Sequence, residues 1–251
     1  MFKRLSEELD ICAVAGLVTQ FWWRDDDAQY ASPALESLLQ LSVQSGVPLS
    51  LATIPNGMDG SLVEAVQGLA QVSILQHGYS HQNFAPPAQR KMELGWHRPE
   101  AEIVAQLSHG CADLRDRFGA QFVPLMVPPW NRIDERVISC LTIAGLKGLS
   151  TLGPRSQAEP SPGLRQLNVH VDIIDWKGGR CFVGETACVE QIIAHLRAKR
   201  EGRADITEAT GVMTHHLVHD QGCRDFLAAL FDFLNQREEV QLPGVRRCLA
   251  L

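Results

Sequence analysis

Nowhere in these 251 residues does an uncharged apolar run approach the roughly 18 residues that a transmembrane helix needs. The opening segment carries an early Lys3-Arg4 pair, but Glu7, Glu8 and Asp10 interrupt the apolar residues after it. It therefore lacks the unbroken apolar stretch of an export signal, and a cytoplasmic location is the expectation. Basic stripes with interleaved aromatics are also missing. With a formal net charge of −6 and a pI near 5.8, neither nucleic acid nor an anionic membrane surface is expected as the main partner. The seven cysteines (Cys12, Cys111, Cys140, Cys181, Cys188, Cys223 and Cys248) are odd in number and scattered, with no Cys-x-x-Cys pair. That excludes an obvious disulfide framework and points to reduced, mostly buried thiols. Repeats, low-complexity tracts and long linkers are absent, so one domain over residues 1–251 is expected, a size common among α/β barrels.

What is present is an ordinary core-forming composition, 45% apolar and 21% charged, arranged as short apolar runs alternating with longer amphipathic ones. That alternation is the signature of parallel β/α units. Strands are predicted over 17–23, 47–54, 72–76, 122–127, 146–152, 167–174 and 211–214, seven in all. Helices are predicted from the Ser32 cap and Pro33 to Gly46, then over 60–69, 99–118, 134–144, 188–200 and 223–235. Five polar clusters fall at carboxyl ends of these strands: Asp25–Asp27, His77, Pro128–Asn131, Asp175-Trp176 and His215-His216. In an α/β barrel such ends converge on one face, where active sites are built.

His77-Gly78-Tyr79-Ser80-His81 sets two imidazoles four residues apart, able to share one cation if the segment makes a helical turn. The run Arg24-Asp25-Asp26-Asp27 puts three acids where their mutual repulsion gains nothing for folding, whereas a helix cap needs only one. A cation and Arg24 would offset that repulsion. Two histidines and one carboxylate form a common catalytic zinc set, and a neighbouring aspartate can serve as the base. His215, within Thr214-His215-His216, is a candidate proton donor, the alternative being a packed structural imidazole. Pro128-Pro129-Trp130-Asn131 is a rigid turn whose aromatic can stack on a sugar or merely stiffen the loop. Asp175 can orient His215, or cap the loop that carries Trp176.

In this order the motifs resemble those of the polysaccharide deacetylases, the NodB homology domain or carbohydrate esterase family 4, over roughly residues 21–216. Arg24-Asp25-Asp26-Asp27 resembles the Thr-Phe-Asp-Asp motif, and His77–His81 matches His-x-x-x-His. Val127-Pro128-Pro129-Trp130 resembles Arg-Pro-Pro-Tyr, Asp172–Trp176 matches Asp-x-x-Asp-Trp, and Met213-Thr214-His215 resembles Leu-x-His. The resemblance implies a distorted seven-stranded (β/α) barrel, in agreement with the strand count. It also implies Asp26 as base, Asp27, His77 and His81 as metal ligands, His215 as acid oriented by Asp175, and Pro129, Trp130 and Trp176 lining the substrate groove. A shifted register, with Asp25 as base and Asp26 as ligand, is the alternative. The family's motif arginine is Val127 here, and Arg24 is the expected substitute.

The expected function is accordingly a metal-dependent hydrolase that removes an acyl group, N-acetyl first, from a sugar-containing substrate. Zinc is the first expectation for the metal, with cobalt, nickel or manganese as alternatives. Two other readings stand beside it: a hydrolase of another carbon–nitrogen bond on the same scaffold, possible without metal, and an inactive sugar-binding module. The expected partner is a small molecule or glycan.

Overall fold

Helix α1 (Lys3–Val14) fills a segment for which the sequence pattern assigns no element, and packs against the later helix α6 (Glu185–Arg200). The computed structural model describes residues 2–250. After α1 the chain alternates strand and helix: β1 (Thr19–Ala28), α2 (Pro33–Ser45), β2 (Leu49–Thr53), α3 (Gly60–Val66), β3 (Val72–His77), α4 (Glu100–Phe118), β4 (Phe122–Val127), α5 (Glu135–Ile143) and β5 (Gly148–Leu149). Short strands β6 (Arg165–Gln166) and β7 (Val171–Asp172) come next, then a hairpin of β8 (Ile174–Asp175) and β9 (Cys181–Phe182). Beyond α6 come β10 (Thr210–Thr214), α7 (Gln221–Asn235), β11 (Val240–Gln241) and α8 (Val245–Leu249). The helix starts obey local chemistry. Ser32 accepts from the Leu35 N–H ahead of Pro33, Asp134 from Arg136, and Asp220 from Cys223.

The main sheet is parallel, in the order β6-β5-β4-β3-β2-β1-β10-β7, with β11 added to β1. Its two ends belong to one stretch of chain, residues 165–172. The N–H groups of Arg165, Leu167 and Val169 donate to the β5 side, at Lys147, Leu149 and Thr151, while that of His170 donates to Gly211 of β10. The sheet therefore curls until its last strand meets β10, giving a distorted seven-stranded barrel plus the edge strand β11.

Period-2 alternation sorts the strand residues into two cores. Trp22, Ala52, Leu75, Val123, Leu125, Val127, Leu167, Val169 and Met213 fill the interior, joined by Val245 and Leu249 of α8. Phe21, Trp23, Leu49, Leu51, Val72 and Ile74 face outward against the helices, with the Trp23 ring 4.8 Å from that of Phe231 on α7. Helix α8 also anchors itself by Arg246, which donates to the carbonyls of Ala120 and Phe122 at the start of β4. It thus closes the barrel at the end opposite the strand carboxyl ends. The large interior indole of Trp22 needs space that Gly211 supplies: a Cβ there would stand 2.5 Å from the indole nitrogen. No helix among the described residues is long and apolar enough to cross a membrane. All seven cysteines are unpaired, five of them buried.

One polar cluster is sealed in the outer layer. His195 on α6 stacks on His170 with ring centroids 3.4 Å apart, and Glu208 lies beside both. Glu208 accepts the N–H groups of Arg155 and Asn168, tying the loop after β5 to the barrel wall. Burial keeps both imidazoles neutral, pushing His195 down to about 2 and lowering His170, with Lys199 adding to the effect in each. An unfolded histidine takes up a proton below its ordinary pKa of about 6.5, so the stability held by the neutral form is lost as pH falls through that value. Urea midpoints at about pH 7.5 and about pH 5 should show it, with roughly 2 kcal/mol of the loss assignable to His195. The His195→Gln variant is expected to lose less over the same interval; equal losses in both proteins would remove this account.

Candidate metal centre and active-site groove

Strand β1 continues through all three aspartates, beyond the predicted strand end at Trp23, and this decides which acid faces where. Alternation sends Trp22, Arg24 and Asp26 into the barrel mouth and Trp23 and Asp25 outward. Asp25 accepts the Thr214 hydroxyl at 2.6 Å and the His216 N–H at 2.9 Å, and its other oxygen meets His216 Nδ1 at 2.5 Å. Burial opposes charge on both groups, yet each outweighs it for the other: Asp25 is held below the usual carboxylate range and His216 above the usual imidazole range. Asp25 is thus a fastener between β1 and the segment after β10, and the shifted register that made it the base finds it on the wrong face. Asp27 should alternate outward as well. It does not, because its backbone turns into the left-handed region (φ 72°) at the point where the β1–β2 register shifts. That bulge brings consecutive residues, Asp26 and Asp27, into one site.

Asp27 meets two histidines. Its Oδ1 lies 3.1 Å from His77 Nε2 and 3.3 Å from His81 Nε2. His77 donates from Nδ1 to the Val127 carbonyl at 2.9 Å, which turns Nε2 toward Asp27. Burial lowers His81, helped by His77; burial opposes charge on His77 and Asp27 too, but their mutual hydrogen bond outweighs it, raising His77 above the usual imidazole range and holding Asp27 below the usual carboxylate range. Two imidazoles beside an ionised carboxylate, with a cation taking the place of the proton shared by His77 and Asp27, are the donor set of a divalent ion. Their ligand atoms lie within 4.8 Å of one another. The residues present therefore fit a metal.

The two histidines do not share a helical turn, contrary to the condition placed on their spacing. The chain after β3 is an irregular turn with Gly78 at φ 56° and His81 at φ 54°. What shapes it is Glu93, fully buried, whose carboxylate accepts the N–H groups of Tyr79, Ser80 and His81 at 2.8–3.0 Å. A Cβ on Gly78 would collide with that carboxylate, so only glycine fits. Sequence reasoning missed Glu93. Its signal, a lone acid between Met92 and Leu94, is indistinguishable from a surface charge.

Arg24 is completely buried and forks onto Asp26, Nε to Oδ1 at 2.8 Å and Nη2 to Oδ2 at 2.9 Å. Its remaining donors reach the Ser150 hydroxyl and the Asn131 side-chain oxygen, each at 2.7 Å. Val127 packs in the interior core, and Arg24 occupies the position of partner to Asp26. His215 approaches Asp26 from the other side, Nε2 to Oδ2 at 3.9 Å, and its buried Nδ1 has no partner. Trp176 meets His215 edge-on at 4.6 Å, and Trp130 lies 4.6 Å from His81. Pro129, buried at the base of this turn, crowds Gly78, while Trp130 and Asn131 adopt left-handed backbone (φ 56° and 54°).

Asp175 does not orient His215. Its Oδ1 accepts the N–H groups of Lys177 and Gly178, capping the hairpin turn, which was the other reading of this residue. Asp172 is the acid that faces the groove. It takes the Trp176 indole N–H at 2.8 Å and so fixes the ring that flanks His215, and burial raises it above the usual carboxylate range. The groove thus formed has a volume of about 510 Å³, within the range of small-ligand sites.

No family sequence model and no curated protein sequence matches the chain. Solved structures do. A candidate polysaccharide deacetylase from Mycobacterium smegmatis superposes with a TM-score of 0.69 at 17% identity, over 94% of this chain and 90% of that one. The peptidoglycan deacetylase PdaC from Bacillus subtilis gives 0.56 at 12%, over 92% and 91%. A family 4 acetyl xylan esterase from Clostridium thermocellum, solved with a cobalt ion, gives 0.56 at 12%, over 92% and 91%. The chain therefore has the polysaccharide deacetylase fold.

Because Glu93 fixes the loop that aims His81, the Glu93→Gln variant is expected to bind zinc roughly 10- to 100-fold more weakly. Competition with a chromogenic chelator measures this, and an unchanged affinity would show that the loop shapes itself.

Proposed function

We propose that this protein is a metal-dependent hydrolase that removes an acyl group, N-acetyl first, from a sugar-containing substrate. The observation that carries the proposal is the division of labour between adjacent acids: Asp27 joins His77 and His81, while Asp26, one residue away, is kept out of that set by the Arg24 fork. A divalent ion in the first set, zinc before cobalt, nickel or manganese, supplies Lewis acidity to an acyl carbonyl and to water.

The chain's own groups complete the reaction. Asp26 keeps free lone pairs beyond the two held by Arg24 and faces the groove, where it takes the proton of the attacking water. His215, across Asp26, delivers a proton to the departing amine, its ring steadied by Trp176 and, through that indole, by Asp172. Trp130 and Trp176 offer faces to a sugar ring. Met213 and Leu152 give the groove an apolar patch suited to an acyl methyl. The unpaired, largely buried cysteines support a cytoplasmic setting.

The test is acetate release from a panel of N-acetylated sugars and small amides by metal-loaded protein. Release is expected to vanish on chelation, return with added zinc or cobalt, and be absent in the His77→Ala variant. Chelator-resistant hydrolysis of a cyclic amide would favour the metal-independent alternative, and sugar binding with no hydrolysis of any compound would favour the inactive module.

The Arg24→Lys variant, which keeps a charge but loses the fork, is expected to lower kcat while metal content stays at one ion per chain. Arg24→Ala, which strands Asp26 in the interior, should also cost about 3–5 kcal/mol in urea unfolding. Full turnover in both variants would remove Arg24 from the site.

A further inference from the structure

Around the mouth of the groove stand four cations from three separate chain segments: Arg90 and Lys91 after β3, Arg132 after β4, and Arg180 in the β8–β9 hairpin. Among the described residues, none of the four forms an ion pair. Ten arginines elsewhere lie within 4 Å of a carboxylate while other cations of the chain do not, so what sets these four apart is their gathering at one opening of a chain whose net charge is −6. The acids in the groove do not neutralise the rim. Asp26 is taken by Arg24, Asp27 by the two histidines, and Asp172 by the Ile174 and Trp176 N–H groups. Arg132 is held in place by donating to the Lys91 carbonyl at 2.9 Å, and burial together with the nearby Arg90 lowers its pKa. Gathering like charges at one opening opposes folding, and the missing counter-charge is one that a ligand can bring.

The cations are also placed relative to the rings. Lys91 Nζ stands 5.9 Å from the centre of Trp130, and the Arg180 guanidinium 5.5 Å from that of Trp176. Each tryptophan in turn touches a site histidine, His81 or His215. From the floor outward the order is therefore reacting groups, aromatic walls, then positive charge. A sugar stacked on the walls with its acyl group at the floor directs a substituent toward the rim.

We infer that the substrate carries a phosphate or diphosphate ester on its sugar, and that Arg90, Lys91, Arg132 and Arg180 form the subsite for it. This rests on the hydrolase reading for the floor of the groove, and narrows the substrate class. A phosphoryl group matches the rim better than one carboxylate does, since it brings up to two charges and three acceptor oxygens to several donors at once. A soluble sugar phosphate, a nucleoside diphosphate sugar and a polyprenyl diphosphate sugar share this chemistry.

Binding and chemistry are measured separately. Calorimetry with glucose, glucose 1-phosphate and uridine diphosphate glucose, none of which carries an acyl amide, reads the subsite without turnover. It is run on metal-free protein, so that a phosphate–metal contact cannot imitate the rim. The phosphorylated sugars are expected to bind at least about tenfold more tightly than glucose, with the advantage shrinking as salt is raised. In the Arg90→Gln/Lys91→Gln double variant, both side chains being exposed, that preference should fall about tenfold, and in Arg180→Gln about threefold. Equal affinity for glucose and its phosphate, or a preference that survives both variants, overturns the inference.

Acetate release is then compared between N-acetylglucosamine and its 1-phosphate on metal-loaded protein. A phosphate preference in binding with no acetate released from any acylated sugar overturns the hydrolase reading and leaves the subsite standing. Equal kcat/KM with equal binding does the reverse. Higher kcat/KM for uridine diphosphate N-acetylglucosamine, or for a polyprenyl diphosphate N-acetylglucosamine in neutral vesicles, supports the inference and identifies which source of the ester is used.

Discussion

A guanidinium with no solvent exposure, set inside the mouth of a barrel, is a constraint that the surrounding structure must satisfy. Arg24 cannot lose its charge, so every donor needs an acceptor and the charge needs an opposite. Asp26 supplies the charge from two residues along the same strand, Ser150 supplies a hydroxyl from beyond β5, and Asn131 an amide oxygen from beyond β4. One side chain thereby ties three parts of the rim and removes Asp26 from competition for a metal. The left-handed backbone of Asn131 and Trp130 is intelligible in this light. The turn is bent to present Asn131 inward to Arg24 and Trp130 to His81.

The second determinant is a departure from regularity. A straight β1 would send Asp25 and Asp27 to one face and Asp26 to the other, separating the proposed base from the proposed ligand. The bulge at Asp27 reverses only the last of these, leaving Asp25 outside to pair with His216. That outer pair has its own consequence for the site. It clamps the residue after His215, so the imidazole facing Asp26 is positioned from behind by a charged pair that no substrate reaches. Three consecutive aspartates, which look redundant as sequence, have three different jobs.

The strands and most helices are legible in the sequence because their signals are local: Ser32-Pro33, Asp134 and the apolar runs state their roles within a few residues. The trio of Asp27, His77 and His81 is legible because strand ends converge in a barrel whatever the loops do. What escapes is whatever depends on partners distant in sequence. Glu93 looks like any surface acid until the His77–His81 turn folds over it. Asp172 and Asp175 are equivalent by type, and only the hairpin turn at Gly178 shows that Asp175 is used up as a cap. Helix α1, with Glu7, Glu8 and Asp10 among its apolar residues, reads as an interrupted run rather than a packed helix, and α8 is too short for its pattern to register.

The electrostatics of the groove stem from the same division. Inside, each acid is matched by a fixed partner, so little uncompensated negative charge reaches the opening. Outside, the cations are without ion pairs among the described residues, so four positive side chains gather at the entrance of a molecule whose net charge is −6. An overall acidic protein with a positive entrance repels polyanions from most of its surface and draws a small anion to one place. A long neutral polymer gains nothing from such an entrance, since its charge-free rings bring no counter-ion to four unmatched cations. The fold is shared with enzymes named for polysaccharide, peptidoglycan and acetyl xylan, so the discriminating information in this chain lies not in the barrel or the candidate metal ligands but in the loops that carry Arg90, Lys91, Arg132 and Arg180.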